Sequence, residues 1–414
     1  MMSFMQIDIK SEIGHLKKVI THTPGREVSL VNPDIKEVLL FDDIIFEDDA
    51  RKEHVDMLKM FRCAMPDDGE IIEILDLARD VFETFEGREF FVENLVKSLP
   101  EKNIYLIENS LKKLSAEELV EFVVEGSLKP KTEFNLWPLP NLLFTRDLAA
   151  VAGNNIILSK AAKKARVRES LLMEVIVKYH PLFEEVKENI IQIEASQTIE
   201  GGDVMVVNEK IVLIGLSERS SFSGLLTIAE TILSKGVEFI IAVDIPKKRA
   251  SMHLDTIFTF ADKDECVVFP PYIVEQRDNV VVLSKHSNRV SARQMPSLKS
   301  ALEELCGYEY NFINCGGQDP TDQYREQWTD GANLFALAPG VIVGYERNSK
   351  TFNELIEQGY RYMNQYEFIE EYSDKTFKPE EEGKIAITFQ GHELCRGRGG
   401  ARCMTLPLLR DKLN

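Results

Sequence analysis

The residue best suited to covalent chemistry is Cys403, which lies in Gly397-Arg398-Gly399-Gly400-Ala401-Arg402-Cys403-Met404. Three glycines there allow close backbone approach and positive φ, and the neighbouring guanidinium groups are expected to favour a thiolate, the nucleophilic form of the side chain. A thiolate that attacks an electrophilic carbon needs an acid/base partner. Among seven histidines, His253 in Met252-His253-Leu254-Asp255-Thr256 is best placed: it precedes the start of a strand pair and should share a strand face with Asp255. His-x-Asp can also supply two metal ligands, but no third ligand cluster stands at suitable spacing, so no metal is expected. His22, His54, His180, His286 and His392 read as ordinary turn or helix residues.

Paired carboxylates become informative if the substrate is a planar cation, because a guanidinium presents parallel N–H donors that match bidentate carboxylates. Asp147 in Phe144-Thr145-Arg146-Asp147 and Asp255 would serve, and Glu200 in Ile199-Glu200-Gly201-Gly202-Asp203 could orient His253. Taken singly each is an ordinary turn or cap residue; a shared location would give them a function. Cys63, Cys266 and Cys306 read as small buried residues without chemistry.

Those side chains are far apart in sequence, so the elements must gather them. Four times a polar residue opens a short apolar run, a turn follows and a second apolar run returns. The pairs run from Asp147 to Leu158 with a turn at Gly153-Asn154, from Asp203 to Ile214 turning at Asn208-Glu209, from Asp255 to Phe269 turning at Asp262-Lys263-Asp264, and from Asn333 to Val343 turning at Pro339-Gly340. Helical patterns at Arg168 to Tyr179, Ser221 to Lys235 and Ser297 to Cys306 lie between them, so the repeated unit is β-β-α-β. A ring of such units would bring Asp147, Asp203, Asp255 and Asn333 to a common centre. Earlier in the chain, Leu16 to His22 reads as a strand, Asp48 to Phe61 as an amphipathic helix and Glu70 to Leu75 as a buried strand. Residues 76 to 130 repeat Leu and Phe at helical spacing and read as a helical insertion, with the capping box Ser115-Ala116-Glu117-Glu118 marking one helix start.

Composition narrows the partners. The net charge of −19, from 49 basic and 68 acidic residues, disfavours nucleic acid or an anionic membrane surface and suits a small cation. No apolar stretch approaches a membrane span and the N-terminal residues lack a basic region followed by an apolar run. Six cysteines without a Cys-x-x-Cys pair suggest neither a disulfide framework nor a zinc site. A cytoplasmic enzyme with reduced thiols is expected.

The segments Ser11-Glu12-Ile13-Gly14, Leu39-Leu40-Phe41-Asp42-Asp43, Pro140 to Asp147, Ile199 to Asp203, Met252 to Thr256, Arg325-Glu326-Gln327-Trp328 and Gly397 to Met404 resemble the successive signatures of arginine deiminases, in that family's order and across nearly the whole chain. The resemblance implies an α/β fold, a fivefold pseudosymmetric α/β propeller of ββαβ modules: residues 1–75 and 131–414 would form the catalytic domain and 76–130 the inserted helical subdomain. It implies hydrolysis of L-arginine to L-citrulline and ammonia, with Cys403 as nucleophile, His253 as general acid/base, Glu200 as its partner, and Asp147 and Asp255 as the guanidinium clamp. Asn141, Arg166 and Arg219 would bind the substrate carboxylate, Phe144 would cover the substrate, the Leu40 carbonyl would hold the α-ammonium, and Arg398 would be a mobile arginine near the nucleophile. Arg168 competes with Arg166 for its role. No cofactor is implied, and an assembly of identical subunits is expected. Agmatine or methylarginine hydrolysis, amidino transfer, and a catalytically silent arginine-binding module stay open as alternatives. Tyr360, Tyr362 and Tyr366, in a segment at 351–390 rich in Tyr and acidic residues, suggest an additional surface helix.

Overall fold

The computed structural model describes residues 6–99, 104–128, 135–194, 196–286 and 289–413. Within them the strands form five separate small sheets, and each is built on the same local plan of an antiparallel pair followed by a helix and a parallel strand. In the first unit Ala149–Ala152 pairs with Asn155–Leu158, the helix Val167–Tyr179 crosses over, and Ile190–Ile191 returns parallel. The second uses Val204–Asn208, Ile211–Leu216, the helix Phe222–Ile232 and Phe239–Asp244. The third uses Phe258–Phe260, Glu265–Val268, the helix Leu298–Cys306 and Asn311–Asn314. All four strand pairs expected from sequence are present. In the second the turn is shifted by one residue, to Glu209-Lys210, because Asn208 stays in register through an irregularity and its side chain accepts from the Lys210 N–H.

The fourth unit pairs Phe335–Ala338 with Val341–Tyr345, which then runs parallel to Ile385–Phe389. Residues 351–390 are not one surface helix. They comprise the end of the helix Ser349–Glu357, the edge strand Arg361–Asn364, the helix Gln365–Tyr372, one helical turn at Pro379–Glu382 and the strand Ile385–Phe389. Tyr360 is buried, its hydroxyl donating to Glu265, while Tyr366 is exposed. The fifth unit is closed by segments from opposite ends of the sequence. Leu406–Arg410 pairs antiparallel with Leu16–Thr21, the helix Glu47–Ala64 crosses over, and Glu70–Glu73 returns parallel. That last strand is shorter and less buried than the sequence suggests, because it is a sheet edge and helix begins at Ile74.

Among the described residues four helices, Ile74–Glu83, Phe85–Lys97, Ile104–Lys112 and Ala116–Glu125, lie in the segment that reads as helical. The capping box at Ser115 and Glu118 starts the last of them, and Gly126 ends it at φ 79°. Their apolar faces share one buried cluster with the first unit, for example Phe82, Phe91 and Leu119 with Ile156 and Ile176. One further hairpin, Val280–His286 with Arg289–Met295, leaves the third unit and extends the sheet of the second by pairing with Phe239–Asp244.

Candidate active site

The same local device delivers most of the candidate side chains. A tight turn precedes the strand pair in each of the first three units: Thr145–Leu148 carries Asp147, Gly201–Asp203 follows Glu200, and Leu254–Thr256 carries Asp255 just after His253. These turns touch one another. His253 and Asp255 therefore do not share a strand face as the alternation suggested; the turn rotates them apart, and regular pairing begins only at Phe258. Cys403 holds the corresponding place before Leu406–Arg410. Close approach explains the glycine pair beside Glu200: a Cβ at Gly202 would stand 2.8 Å from the His253 ring, and one at Gly201 would collide with the carbonyls of Arg146 and Ala149.

Cys403, His253 and Asp147 line one cavity. Leu40, Asn141, Phe144, Arg166, Arg219 and Arg398 complete most of its wall. Free space within it is about 20 Å³, room for about one water molecule. Glu200 stands behind His253, its carboxylate 2.9 Å from Nε2, and Asp255 stands beside the sulfur, with Oδ2 3.7 Å from Sγ. Arg168 does not line the cavity; its guanidinium donates to the carbonyls of Val123 and Trp137. Arg166 is buried and donates to Asp147, to Glu169 at 2.7 Å and to the Asn141 carbonyl at 3.0 Å. Asn141 in turn donates to the Leu39 carbonyl at 2.6 Å, beside Leu40, whose φ is 59°.

Charges around the sulfur and the imidazole act in opposite senses. Burial alone would strip His253 of its proton, but Asp147, with Oδ1 3.5 Å from Nδ1, and the hydrogen bond to Glu200 outweigh it and bring the imidazole up to about 9. The same pair holds Glu200 down at about 2 against its own burial, with help from Arg219 and Arg166. Cys403 goes the other way. Burial, then Asp255, Asp147 and Asp330, push its thiol well above the ordinary cysteine value, and Arg402 offsets only part of that. The expectation that the flanking arginines favour a thiolate is corrected accordingly: Arg402 is paired to Asp255 and Glu12, and Arg398 is drawn off onto Trp328.

Several polar atoms facing this region are buried without a hydrogen-bond partner: Oδ1 of Asp147, Oδ1 of Asp255, and Nε and one terminal nitrogen of Arg219. Of these, Oδ1 of Asp147 lies 3.5 Å from the imidazole and the terminal nitrogen of Arg219 lies 3.5 Å from Glu200, too long for hydrogen bonds but within ion-pair reach. Such a set complements a ligand with a planar cation at one end and an anion at the other. Asp147, Glu200 and His253 also offer ligand atoms within 4.8 Å of one another, a spacing that could hold a metal ion. Arg166 and Arg219 lie 3.9 and 3.5 Å from Glu200, however, so a divalent ion would face two fixed guanidinium charges; the donor set suits a protonated imidazole better.

The sequence reading missed Arg249, which lines the cavity and donates to the Leu40 carbonyl at 2.9 Å and to Asp42. It also missed the buried ion pairs of Arg402 and the buried Arg146, whose proton affinity falls to about 9 through burial and repulsion from Arg402. Glu12, Arg146 and Arg402 each lie inside or beside a recognised motif, which was the only signal available. His22 is not an ordinary turn residue: it is buried between Glu27 and Glu73, while His54 is buried with neither ring nitrogen partnered.

The sequence model described as arginine deiminase matches residues 110–410. The chain belongs to the arginine deiminase family. Family relatives include the arginine deiminase of Bacillus cereus (strain ATCC 10987 / NRS 248), 35% identical over 98% of this chain and 99% of that protein. Another, from Listeria monocytogenes serotype 4a (strain HCC23), is 33% identical over 98% of both. Among solved structures, the N-terminal domain of ArgZ bound to product, an arginine dihydrolase from the ornithine-ammonia cycle in cyanobacteria, superposes with a TM-score of 0.53 at 14% identity, over 96% of this chain and 99% of that one. A dimethylarginine dimethylaminohydrolase adduct with S-methyl-L-thiocitrulline gives 0.50 at 14% identity, over 95% and 99%. Those two likenesses show that this chain shares the α/β fold of these structures. Among the described residues no helix is long and apolar enough to cross a membrane.

Proposed function

We propose that the protein hydrolyses the guanidinium of L-arginine to L-citrulline and ammonia through a covalent adduct on Cys403. One observation carries the reading: Cys403, His253, Asp147 and Arg219 line one cavity with Asp255 directly behind the sulfur, and Oδ1 of each aspartate and Nε of Arg219 are buried without a hydrogen bond. A guanidinium seated between the two carboxylates presents its carbon to Sγ, and the α-carboxylate is read as held by Arg219, Asn141 and Arg166, the last giving up its bond to Asp147 when the substrate guanidinium takes that carboxylate. The Leu40 carbonyl takes the α-ammonium in place of the Arg249 guanidinium that it now accepts from, and Phe144 covers the chain.

The bound cation lowers the affinity of the thiol for its proton, which leaves to solvent, and the thiolate bonds to the guanidinium carbon. His253, kept protonated by Asp147 and Glu200, gives its proton to one nitrogen of the adduct. That C–N bond breaks, ammonia departs, and an S-alkylthiouronium cation remains on Cys403. The neutral imidazole next takes a proton from water as the oxygen bonds to the same carbon. When the carbonyl forms, the C–S bond breaks, the sulfur leaves as thiolate, and the hydroxyl proton is released with citrulline. No metal or organic group enters this scheme.

The five units are read as blades of a fivefold pseudosymmetric propeller, in which Asp147, Asp203, Asp255, Asn333 and Cys403 hold equivalent places at the centre. The helices between residues 74 and 125 are an insertion into that catalytic domain. A homo-oligomer in the cytoplasm remains the expected setting.

The test is to incubate purified protein with arginine, agmatine and methylarginine, and assay citrulline and ammonia. Equal amounts of both products from arginine, little turnover of agmatine, and none by Cys403→Ser are expected. Arginine binding without ammonia, or equal rates on arginine and agmatine, would reject the reading.

A further inference from the structure

Asn333 reads in the sequence only as the polar residue that opens a strand pair. Its side chain is fully buried and uses both ends of its amide. Oδ1 accepts from the Cys403 N–H at 3.1 Å, and Nδ2 donates to the Asp255 carbonyl at 2.9 Å. One carboxamide thus ties the main chain of the sulfur-bearing residue to the main chain of the carboxylate beside that sulfur. The Cys403 carbonyl is fixed on its other side by the Arg146 N–H at 3.1 Å. Asn333 itself is held: its N–H donates to the Asp330 carbonyl at 3.0 Å, and its carbonyl and side chain pack against Gly400, where a Cβ would stand 2.6 Å from the Asn333 carbonyl oxygen.

The identity of the side chain matters as well as its shape. The corresponding positions ahead of the other strand pairs are occupied by Asp147, Asp203 and Asp255, so an acid fits the backbone at such a place. Here an acid would fail on two counts. It could not donate to the Asp255 carbonyl, and it would add a negative charge to a thiol already raised by Asp255, Asp147 and Asp330.

We infer that Asn333 is a positioning residue for catalysis, which fixes the orientation of Cys403 relative to Asp255 while keeping the sulfur's surroundings free of another carboxylate. The inference rests on Cys403 being the nucleophile. Asn333→Asp and Asn333→Ala separate its two contributions. In both, kcat for arginine should fall about 10²-fold through misplacement of the sulfur, with KM changed far less because no substrate contact is removed. Only Asn333→Asp should also shift the pH dependence of iodoacetamide alkylation of Cys403 upward, by on the order of one pH unit.

Thermal melts of both variants accompany the assays, and mass spectrometry locates the alkylated residue. If the Asp variant does not fold, the Ala variant still decides: a cooperative melt with reduced kcat supports the inference, and a cooperative melt with wild-type kcat overturns it. Equal kcat losses with identical alkylation profiles would reduce Asn333 to a structural residue and likewise overturn it. Failure of the underlying reading looks different, since wild-type protein alkylated at Cys403 would then keep its turnover.

Discussion

A proton that must be delivered to a leaving nitrogen has to be present beforehand, and at His253 its presence depends on two carboxylates overcoming burial. With the imidazole at about 9, His253 is charged at neutral pH, and activity through it should decline as pH rises past that value. Glu200→Gln removes one of the groups that raise it, so the imidazole loses its proton at lower pH. The alkaline limb of kcat/KM, which reports the free enzyme, should move down by about 1 to 3 pH units; a pH–rate profile of the variant that overlays the wild type would contradict the acid role. The candidate side chains that the structure brings to one cavity were legible in sequence where they sit in local motifs, as His253 and Cys403 do. The thiol's raised proton affinity was not legible, because its causes, Asp255, Asp147 and Asp330, come from distant segments and act only through burial. Arg402 misled for the same reason: beside Cys403 in sequence, it spends its charge on Glu12 and Asp255.

Strand pairs and capped helices were readable because their signals are short: a Gly-Asn turn, a Ser-x-x-Glu box. What escaped was chemistry between elements, and His22 shows it best. Lying just beyond the strand Leu16–Thr21, it is sandwiched between Glu27 and Glu73, which bring the imidazole up to about 10 despite burial. Because the folded value lies above the ordinary 6.5, the stabilisation is complete below about pH 6.5 and is lost as pH rises towards 10. His22→Ala leaves the Glu27 carboxylate buried without its cation and should destabilise the protein by about 3 to 5 kcal/mol. Urea unfolding near pH 6.5 and again near pH 10 checks both claims, since the difference between variant and wild type should shrink at the higher value. An equal difference at both would show that packing, not charge, is what the substitution removes.

At the scale of the whole molecule, the repeat of strand pairs was legible but its closure was not, because the fifth unit joins strands separated by nearly the entire sequence. Leu406–Arg410 completes the sheet on Leu16–Thr21, and buried Arg410 donates to the Gly14 carbonyl at 2.7 Å. Removal of residues 406–414 should expose the inner edge of that sheet and abolish a cooperative thermal transition followed by circular dichroism. A truncated chain that melts as the full one does would mean that the remaining four units stand without it. The tyrosines at 360, 362 and 366 were misread for a related reason: a buried core ring, an edge strand and an exposed helix follow within a few residues, and no single period describes all three.

The cavity around Cys403 has room for about one water molecule, far less than an amino acid requires. Each catalytic cycle must therefore part the walls once to admit arginine and again to let citrulline escape. Opening then stands in series with the chemistry, and whichever of the two is slower sets the turnover.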